Sequence, residues 1–188
     1  MHTIPITRSS IEIALPKLAL GLGKYEWLQA ELPRRDPSRD REYQRRFNGF
    51  YRVRRGSDWQ RPFYRLLQEG KTRRLSLSVT LRELHEATGR VEASFASKLV
   101  ATLDPAQPVI DSVVLRHLGV KLPAGGPPSV RCDRIVIIHE SLAARFAECL
   151  AAPIGRYLVA RFRTLYPQAA ITAVKMLDLV LWQTRDAA

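Results

Sequence analysis

Asp111 is the residue whose type and position best suit catalysis. It comes directly after the stretch 108–110 and opens a short helix that we predict over 111–118, before Gly119. A carboxylate in such a position can stabilise positive charge that develops during a reaction, and it can orient a water molecule. An Asp in this position also caps a helix by accepting hydrogen bonds from first-turn N–H groups. The two roles are compatible, and the sequence leaves both open.

A turn at Gly89 and Arg90 joins two predicted helices upstream of Asp111. Gly89 is typical of a helix C-cap, whereas the start of the next helix could bind a phosphate of DNA through its N–H groups, with Arg90 adding positive charge. Lys98 is the nearest amine and lies in that second helix. We expect Lys98 to contact DNA phosphate or solvent and to point away from the turn. Action as an amine nucleophile is the alternative role.

Charge is the strongest indication of a partner. The chain has 30 Lys and Arg against 18 Asp and Glu, a net charge of +12. Residues 34–74, the basic segment, hold 14 basic and 5 acidic residues, and 13 of the basic ones are Arg. Arginine binds phosphate with two parallel N–H groups and stacks on bases, which favours a nucleic acid such as double-stranded DNA over a membrane surface. RNA is a weaker option, and a solvated Arg-rich face is the plain alternative. The candidate DNA contacts are Arg45, Arg46, Arg52, Arg54 and Arg55.

Residues for metal or cofactor chemistry are not grouped in the sequence. His85, His117 and His139 stand singly and the two cysteines lack a second pair, so no metal site is predicted. No glycine-rich nucleotide loop occurs, so no cofactor is implied. The sequence shows no secretory pattern and no apolar run of membrane-spanning length. We therefore expect a cytoplasmic protein, associated with the nucleoid if it binds DNA.

Hydrophobic spacing predicts a mainly α-helical chain. With 188 residues and 46% hydrophobic composition, the chain fits one compact domain over 1–188 or two small lobes. A pair of short helices is predicted over 11–31, ahead of the basic segment. Aromatic residues in that segment recur at helical spacing, which predicts that they face the core rather than a nucleic acid. They are Tyr43, Phe47, Phe50 and Tyr51.

The C-terminal third is also predicted to be helical. A Pro- and Gly-rich loop over 120–130 separates it from the Asp111 region, and helices follow over 131–188. The apolar run 135–138 is the one place where an extended strand competes with a helix. Three side chains are expected in the core: Phe95, Leu99 and Trp182.

The order of motifs over 85–119 resembles the helix-hairpin-helix DNA glycosylase superfamily. In that family a hairpin of the type Leu-Pro-Gly-Val-Gly-(Arg/Pro)-Lys-Thr-Ala precedes an apolar helix and then Pro-Val-Asp-Thr-His-Val, whose Asp is catalytic. Here Gly-Arg-Val-Glu-Ala-Ser (89–94) stands at the hairpin, and Pro-Val-Ile-Asp-Ser-Val-Val (108–114) stands at the Asp motif with one residue inserted. Residues 43–51, Tyr-Gln-Arg-Arg-Phe-Asn-Gly-Phe-Tyr, are similar to the small bacterial 8-oxoguanine-glycosylase-like branch.

The resemblance implies an all-α, helix-hairpin-helix bundle that flips a damaged base out of DNA and hydrolyses its glycosidic bond, with Asp111 catalytic. Family members that also nick the strand use a hairpin Lys, and that position falls here on Glu92 or Ala93. The resemblance therefore implies a monofunctional DNA N-glycosylase acting in DNA repair. Val91 replaces a hairpin Gly that lets the backbone approach a phosphate. The alternative is a non-catalytic DNA-binding relative with a regulatory or defence-associated role.

Overall fold

The structure is a computed structural model that describes residues 4–184; the ends of the predicted domain, 1–3 and 185–188, lie outside the described residues. Residues 4–184 form helices and no β-strand, which confirms the predicted all-α class. The helices are α1 (Arg8–Ala14), α2 (Ala19–Glu31), α3 (Arg41–Tyr51), α4 (Ser57–Glu69), α5 (Leu77–Thr88), α6 (Ala93–Leu103), α7 (Ser112–His117), α8 (Pro128–Ala151), α9 (Pro153–Leu165) and α10 (Ala173–Gln183), with a 3-10 turn (Leu15–Leu18) between α1 and α2.

Local capping sets the boundaries of the helices around the basic segment and the hairpin. The Asp40 side chain caps α3 by accepting a hydrogen bond from the Tyr43 N–H at 2.9 Å. Helix α3 ends at Arg52, which adopts the left-handed conformation with φ 54°. Helix α5 ends at Gly89 with φ 70°, where the missing Cβ removes the steric cost of that conformation. The residues after Gly89 then lead directly into α6.

Aromatic packing between α3 and α4 holds the basic segment on the core. Tyr43, Phe47 and Tyr51 are buried along one face of α3, as their spacing predicts. The Phe47 ring lies 5.5 Å from the Phe63 ring of α4, measured between centroids. Phe50 is only half-buried, because it faces a cavity described below. The arginines of α3 are thereby left on the remaining, solvent-facing side of the helix.

The C-terminal third differs from the sequence-based expectation in two details. Residues 135–138 belong to α8 and are not extended: Ile135 is buried, whereas Ile137 is 63% exposed. An exposed residue two positions from a buried one fits a helix that packs along a single stripe. Helix α8 also begins at Pro128, inside the predicted loop, because proline suits the first turn of a helix.

Two of the three predicted core side chains are less buried than expected. Leu99 is fully buried, but Phe95 and Trp182 are half-buried. Phe95 packs against Trp59, with ring centroids 4.8 Å apart, and the charged heads of Arg55 and Lys98 also lie over its ring. Trp182 lies in the wall of the same cavity as Phe50.

Buried side chains contributed from α1 through α10 form one continuous cluster. Hydrophobic burial is the main driving force for such a fold. Of the helices within residues 4–184, none combines the length and the apolar character needed to cross a membrane.

Candidate active site

A cavity of about 510 Å³ opens where the 3-10 turn and the start of α2 meet the end of α3, α6, the start of α7 and α10. Of the residues predicted from sequence, it brings together Asp111, Lys98 and Arg52. Within residues 4–184, its charged lining consists of five basic and two acidic side chains: Lys17, Lys24, Arg52, Lys98 and Lys175, with Asp111 and Asp178. A concave surface with this excess of positive charge favours an anionic ligand.

Asp111 is the N-cap of α7 and is half-buried in the cavity wall. Its Oδ1 accepts a hydrogen bond from the Val113 N–H at 2.8 Å. Its Oδ2 accepts no hydrogen bond from the residues between 4 and 184. One oxygen of Asp111 thus holds the helix start, and the other remains available to a ligand in the cavity.

The chain leading to Asp111 is anchored from two sides. The Ile110 N–H donates to Ser97 Oγ of α6 at 2.9 Å. His139 Nε2 of α8 lies 3.0 Å from the Pro108 carbonyl oxygen, and since a carbonyl can only accept, the imidazole donates this bond. Burial lowers the pKa of His139, and the Pro108 carbonyl opposes part of that effect, so the ring is neutral near pH 7. These two buried contacts position Asp111 at the cavity.

We expected Lys98 to contact solvent or a DNA phosphate, but its side chain is half-buried and does not extend freely into solvent. It lines the cavity, and its Nζ donates to the Tyr51 carbonyl oxygen at 3.2 Å and lies 5.1 Å from the Phe95 ring centroid. Burial lowers the pKa of the Lys98 ammonium, and the carboxylates of Asp111 and Asp178 oppose only part of that effect. A partly desolvated amine therefore shares the cavity with Asp111.

A buried ion pair forms part of the cavity wall on α10. Lys175 Nζ donates to Asp178 Oδ2 at 2.7 Å, and the Lys175 side chain is only 4% exposed. The ammonium also lies within 6 Å of three aromatic ring centroids, those of Tyr25 (4.8 Å), Tyr51 (5.7 Å) and Phe50 (5.9 Å). Burial alone would lower the pKa of Lys175, but Asp178 and the two tyrosine hydroxyls raise it above its ordinary value. Lys175 therefore stays charged.

Three of the predicted DNA-contacting arginines are exposed and form no ion pair with a carboxylate of residues 4–184. Arg45 lies on α3, and Arg52 and Arg54 lie at its end and in the following loop. The Arg52 guanidinium lies 4.8 Å from the Trp182 ring centroid, at the cavity wall. Arg45 and Arg54 are not in that wall. All three charges are accessible to a polyanion.

The other two predicted arginines are partly neutralised within the protein. Arg46 pairs with Glu42 at 2.9 Å on α3. Arg55 pairs with Glu92 at 2.8 Å and also lies over the Phe95 ring. Because Glu92 is the N-cap residue of α6, the Arg55 pair ties the loop after α3 to the hairpin turn.

The hairpin turn itself is exposed and lies outside the cavity wall. Gly89 closes α5, its N–H donating to the His85 carbonyl oxygen, and Arg90 is exposed beside it. The turn is therefore accessible to an anion, at a position separate from the cavity.

Sequence reasoning missed the cavity residues Lys175 and Asp178, and also Lys17 and Lys24. The first two are the only charged residues of α10, an otherwise apolar helix that the sequence predicts to be buried. Charged residues inside a buried helix rarely occur without a partner, so two charges in an apolar helix indicate a buried ion pair.

Metal-ligating residues are dispersed in the fold as in the sequence. No group of three or more His, Cys, Asp or Glu side chains within the described part of the chain is placed to hold a metal ion. Cys132 and Cys149 are buried free thiols, and burial raises the pKa of each.

Comparison with protein-family models, with curated protein sequences and with solved structures finds no match to this chain.

Proposed function

We propose that this protein is a monofunctional DNA N-glycosylase, which hydrolyses the bond between a flipped, damaged base and its sugar. One observation carries the proposal: Asp111 lines a cavity of nucleotide size while the helix cap uses only one of its carboxylate oxygens. The order of motifs around Asp111 and the exposed Arg52 in the cavity wall support the same function.

The cavity has the size and lining that an extruded nucleotide requires. Its volume of about 510 Å³ lies within the range of small-molecule sites. Phe50 offers aromatic surface against which a base can stack, and Arg52, whose guanidinium lies over the Trp182 ring, offers a charge for its phosphate. Extrusion of a base costs a few kcal/mol, and the cost is smallest for damaged or mispaired bases. Such bases are therefore the favoured substrates.

In the proposed reaction the bond between the sugar C1′ and the base nitrogen breaks, and the base leaves with the bonding electrons. The Asp111 carboxylate stabilises the positive charge that develops on the sugar. A water molecule adds its oxygen to C1′ and gives up a proton, and the departing base takes up a proton. The products are a free base and an abasic site in an uncut strand.

Lys98 supports a second candidate, in which the enzyme also cuts the strand. Its lowered pKa increases the fraction of neutral amine, which is the nucleophilic form. In that reaction the amine forms the bond to C1′, the base leaves, and the amine proton is released. The C1′–O4′ bond of the sugar then breaks and the remaining amine proton passes to O4′, which leaves an imine between Lys98 and C1′. This imine permits elimination of the 3′ phosphate. The observation that favours this candidate is the position of Lys98 in the same cavity wall as Asp111.

The test is a base-release assay on duplexes that contain 8-oxoguanine, uracil, hypoxanthine or an alkylated base. Asp111→Asn retains an oxygen for the helix cap but removes the charge, so we expect unchanged DNA binding and a loss of activity of about 100-fold or more. Asp104→Asn is the matched control, because Asp104 is exposed and lies outside the cavity wall. Full activity of Asp111→Asn would overturn the proposal.

Two further readouts separate the candidates. If borohydride traps wild type covalently on DNA and Lys98→Met is not trapped, the strand-cutting candidate is established. If base is released and nothing is trapped, the monofunctional candidate stands. Salt-sensitive DNA binding with no release of any base would instead identify the non-catalytic DNA-binding alternative.

A further inference from the structure

The cavity holds one cation that is neither exposed nor paired with a carboxylate of residues 4–184. Three of the basic side chains in its wall are exposed: Lys17, Lys24 and Arg52. Lys175 is buried but paired with Asp178. Lys98 is half-buried and forms no such pair. Solvent screens a partly desolvated charge less than an exposed one, so Lys98 acts most strongly on a group inside the cavity.

The Lys98 ammonium has N–H groups left over for a ligand. Its Nζ donates to the Tyr51 carbonyl oxygen at 3.2 Å, which is its one hydrogen-bond acceptor within residues 4–184. The ammonium also lies 5.1 Å from the centroid of the Phe95 ring, whose face attracts a cation. Because an ammonium carries three N–H groups, these contacts hold the head of Lys98 in the cavity wall and leave other N–H groups for a molecule that enters.

The surroundings of Lys98 suit a group that gives up a proton. Tyr51 is the last residue of α3, where the free carbonyls of a helix carry partial negative charge that attracts the ammonium. Burial acts in the opposite direction and lowers the pKa of Lys98, and the carboxylates of Asp111 and Asp178 offset only part of this effect. The ammonium is therefore a stronger acid than that of an ordinary lysine, and general acids work best when their pKa lies near the working pH.

We propose that Lys98 is a catalytic residue that donates a proton to the departing base, so that the enzyme acts on uncharged damaged bases in preference to positively charged alkylated ones. This inference rests on the proposed function. The carboxylate of Asp111 faces the sugar, which becomes positive, and the ammonium of Lys98 faces the base, which becomes negative. An alkylated base such as 7-methylguanine is positively charged in DNA and leaves as a neutral molecule. It therefore needs no proton, and the charge of Lys98 repels it.

The proposed step balances without a further reactant. The bond between C1′ and the base nitrogen breaks, and its electron pair stays with the base. One proton passes from the Lys98 ammonium to the base, which leaves a neutral amine at Lys98. The water molecule that adds to C1′ releases a proton, and a proton from solvent restores the ammonium. No bond forms between Lys98 and the sugar, which distinguishes this step from the strand-cutting candidate.

The experiment measures single-turnover rates of base release from duplexes that carry hypoxanthine, 8-oxoguanine or 7-methylguanine, with the spontaneous release in the absence of protein subtracted. We expect wild type to release at least one of the two uncharged bases faster than it releases 7-methylguanine. Lys98→Met should lower the rate for that uncharged base about 100-fold or more and keep the rate for 7-methylguanine within about threefold of wild type.

Lys24→Met is the matched control, because it removes the same charge from an exposed position in the cavity wall. Solvent screens that charge, so this variant should change the ratio of the two rates by less than about twofold. Circular dichroism at 222 nm checks that each variant is folded. A partly unfolded Lys98→Met would lower both rates by the same factor, so a change in their ratio reports on the ammonium itself.

A Lys98→Met variant that loses activity equally on both classes of base, or loses none, would overturn the inference. So would a wild type that prefers 7-methylguanine, or borohydride trapping that depends on Lys98, since the amine would then be a nucleophile. A wild type that releases no base at all overturns the proposed glycosylase function and this inference with it. Failure of the proposed function is thereby distinguished from failure of the inference alone.

Discussion

Substituting Asp178 by Asn is expected to destabilise the fold by about 3 kcal/mol. The substitution preserves shape but leaves the Lys175 ammonium, 4% exposed, without its carboxylate. Removing one partner of a buried ion pair costs roughly 3–5 kcal/mol. The lower end applies here because Asp178 is itself 14% exposed in the cavity wall and the Asn oxygen can still accept a hydrogen bond. For a chain of this length the loss corresponds to a fall in Tm of about 6–12 °C.

Urea unfolding followed by circular dichroism at 222 nm measures this change directly. The reverse variant, Lys175→Met, should cost less, about 1–2 kcal/mol, because the remaining Asp178 carboxylate can be hydrated from the cavity. Asp58→Asn is the matched control: Asp58 and its partner Arg61 are 92% and 78% exposed, and such pairs contribute at most about 1 kcal/mol. A change within 1 kcal/mol for Asp178→Asn, or a larger effect in Lys175→Met, would refute the reasoning.

Two other variants probe contacts away from the cavity. Arg161 and a tyrosine hydroxyl lower the pKa of Glu12 from 4.5 to about 2, so the carboxylate stabilises the fold above pH 4.5 and loses this effect as the pH falls through 2. The Tm difference between wild type and Glu12→Gln should therefore shrink as the pH falls from 4.5 to about 2. A Tm difference that stays constant over this pH range would exclude the ion pair as the cause of the difference. Gly155→Ala would place a Cβ against the Cys149 carbonyl and should lower the free energy of unfolding in urea by about 2–3 kcal/mol. Gly23→Ala is the control: its surroundings are open, so it should raise the free energy of unfolding by up to about 1 kcal/mol. Equal effects of the two alanines would contradict the close packing at the start of α9.

Helices were predictable from sequence where a repeating apolar stripe coincides with a cap. In α3, Tyr43 and Phe47 give the stripe, and Asp40 gives the start of the helix. The run 135–138 was ambiguous, because four apolar residues fit a buried strand as well as a helix. Only the neighbouring helices decide that Ile135 packs inward while Ile137 faces solvent.

The position of Asp111 at a helix start could be predicted, but its neighbours in the cavity could not. Periodicity within α6 shows where Lys98 lies relative to the hairpin; it does not show that the Tyr51 carbonyl lies within hydrogen-bonding distance. The Lys175 and Asp178 pair likewise depends on α10 packing against Tyr25, which is 150 residues earlier in the chain. Such long-range contacts have no local signature, so a single sequence indicates the charged pair but not its surroundings.

The positive charge counted along the sequence is larger than the charge that the basic segment leaves unpaired for a polyanion. Eight of its thirteen arginines form ion pairs within the protein. Five form no ion pair with a carboxylate of residues 4–184: Arg41, Arg45, Arg52, Arg54 and Arg74. An ion-paired arginine must give up or share its carboxylate before it binds phosphate. The unpaired arginines would therefore contribute most of the attraction to a polyanion. Because Arg52 belongs to the cavity wall together with Lys17 and Lys24, unpaired positive charge from two separate segments meets at the place where Asp111 would act.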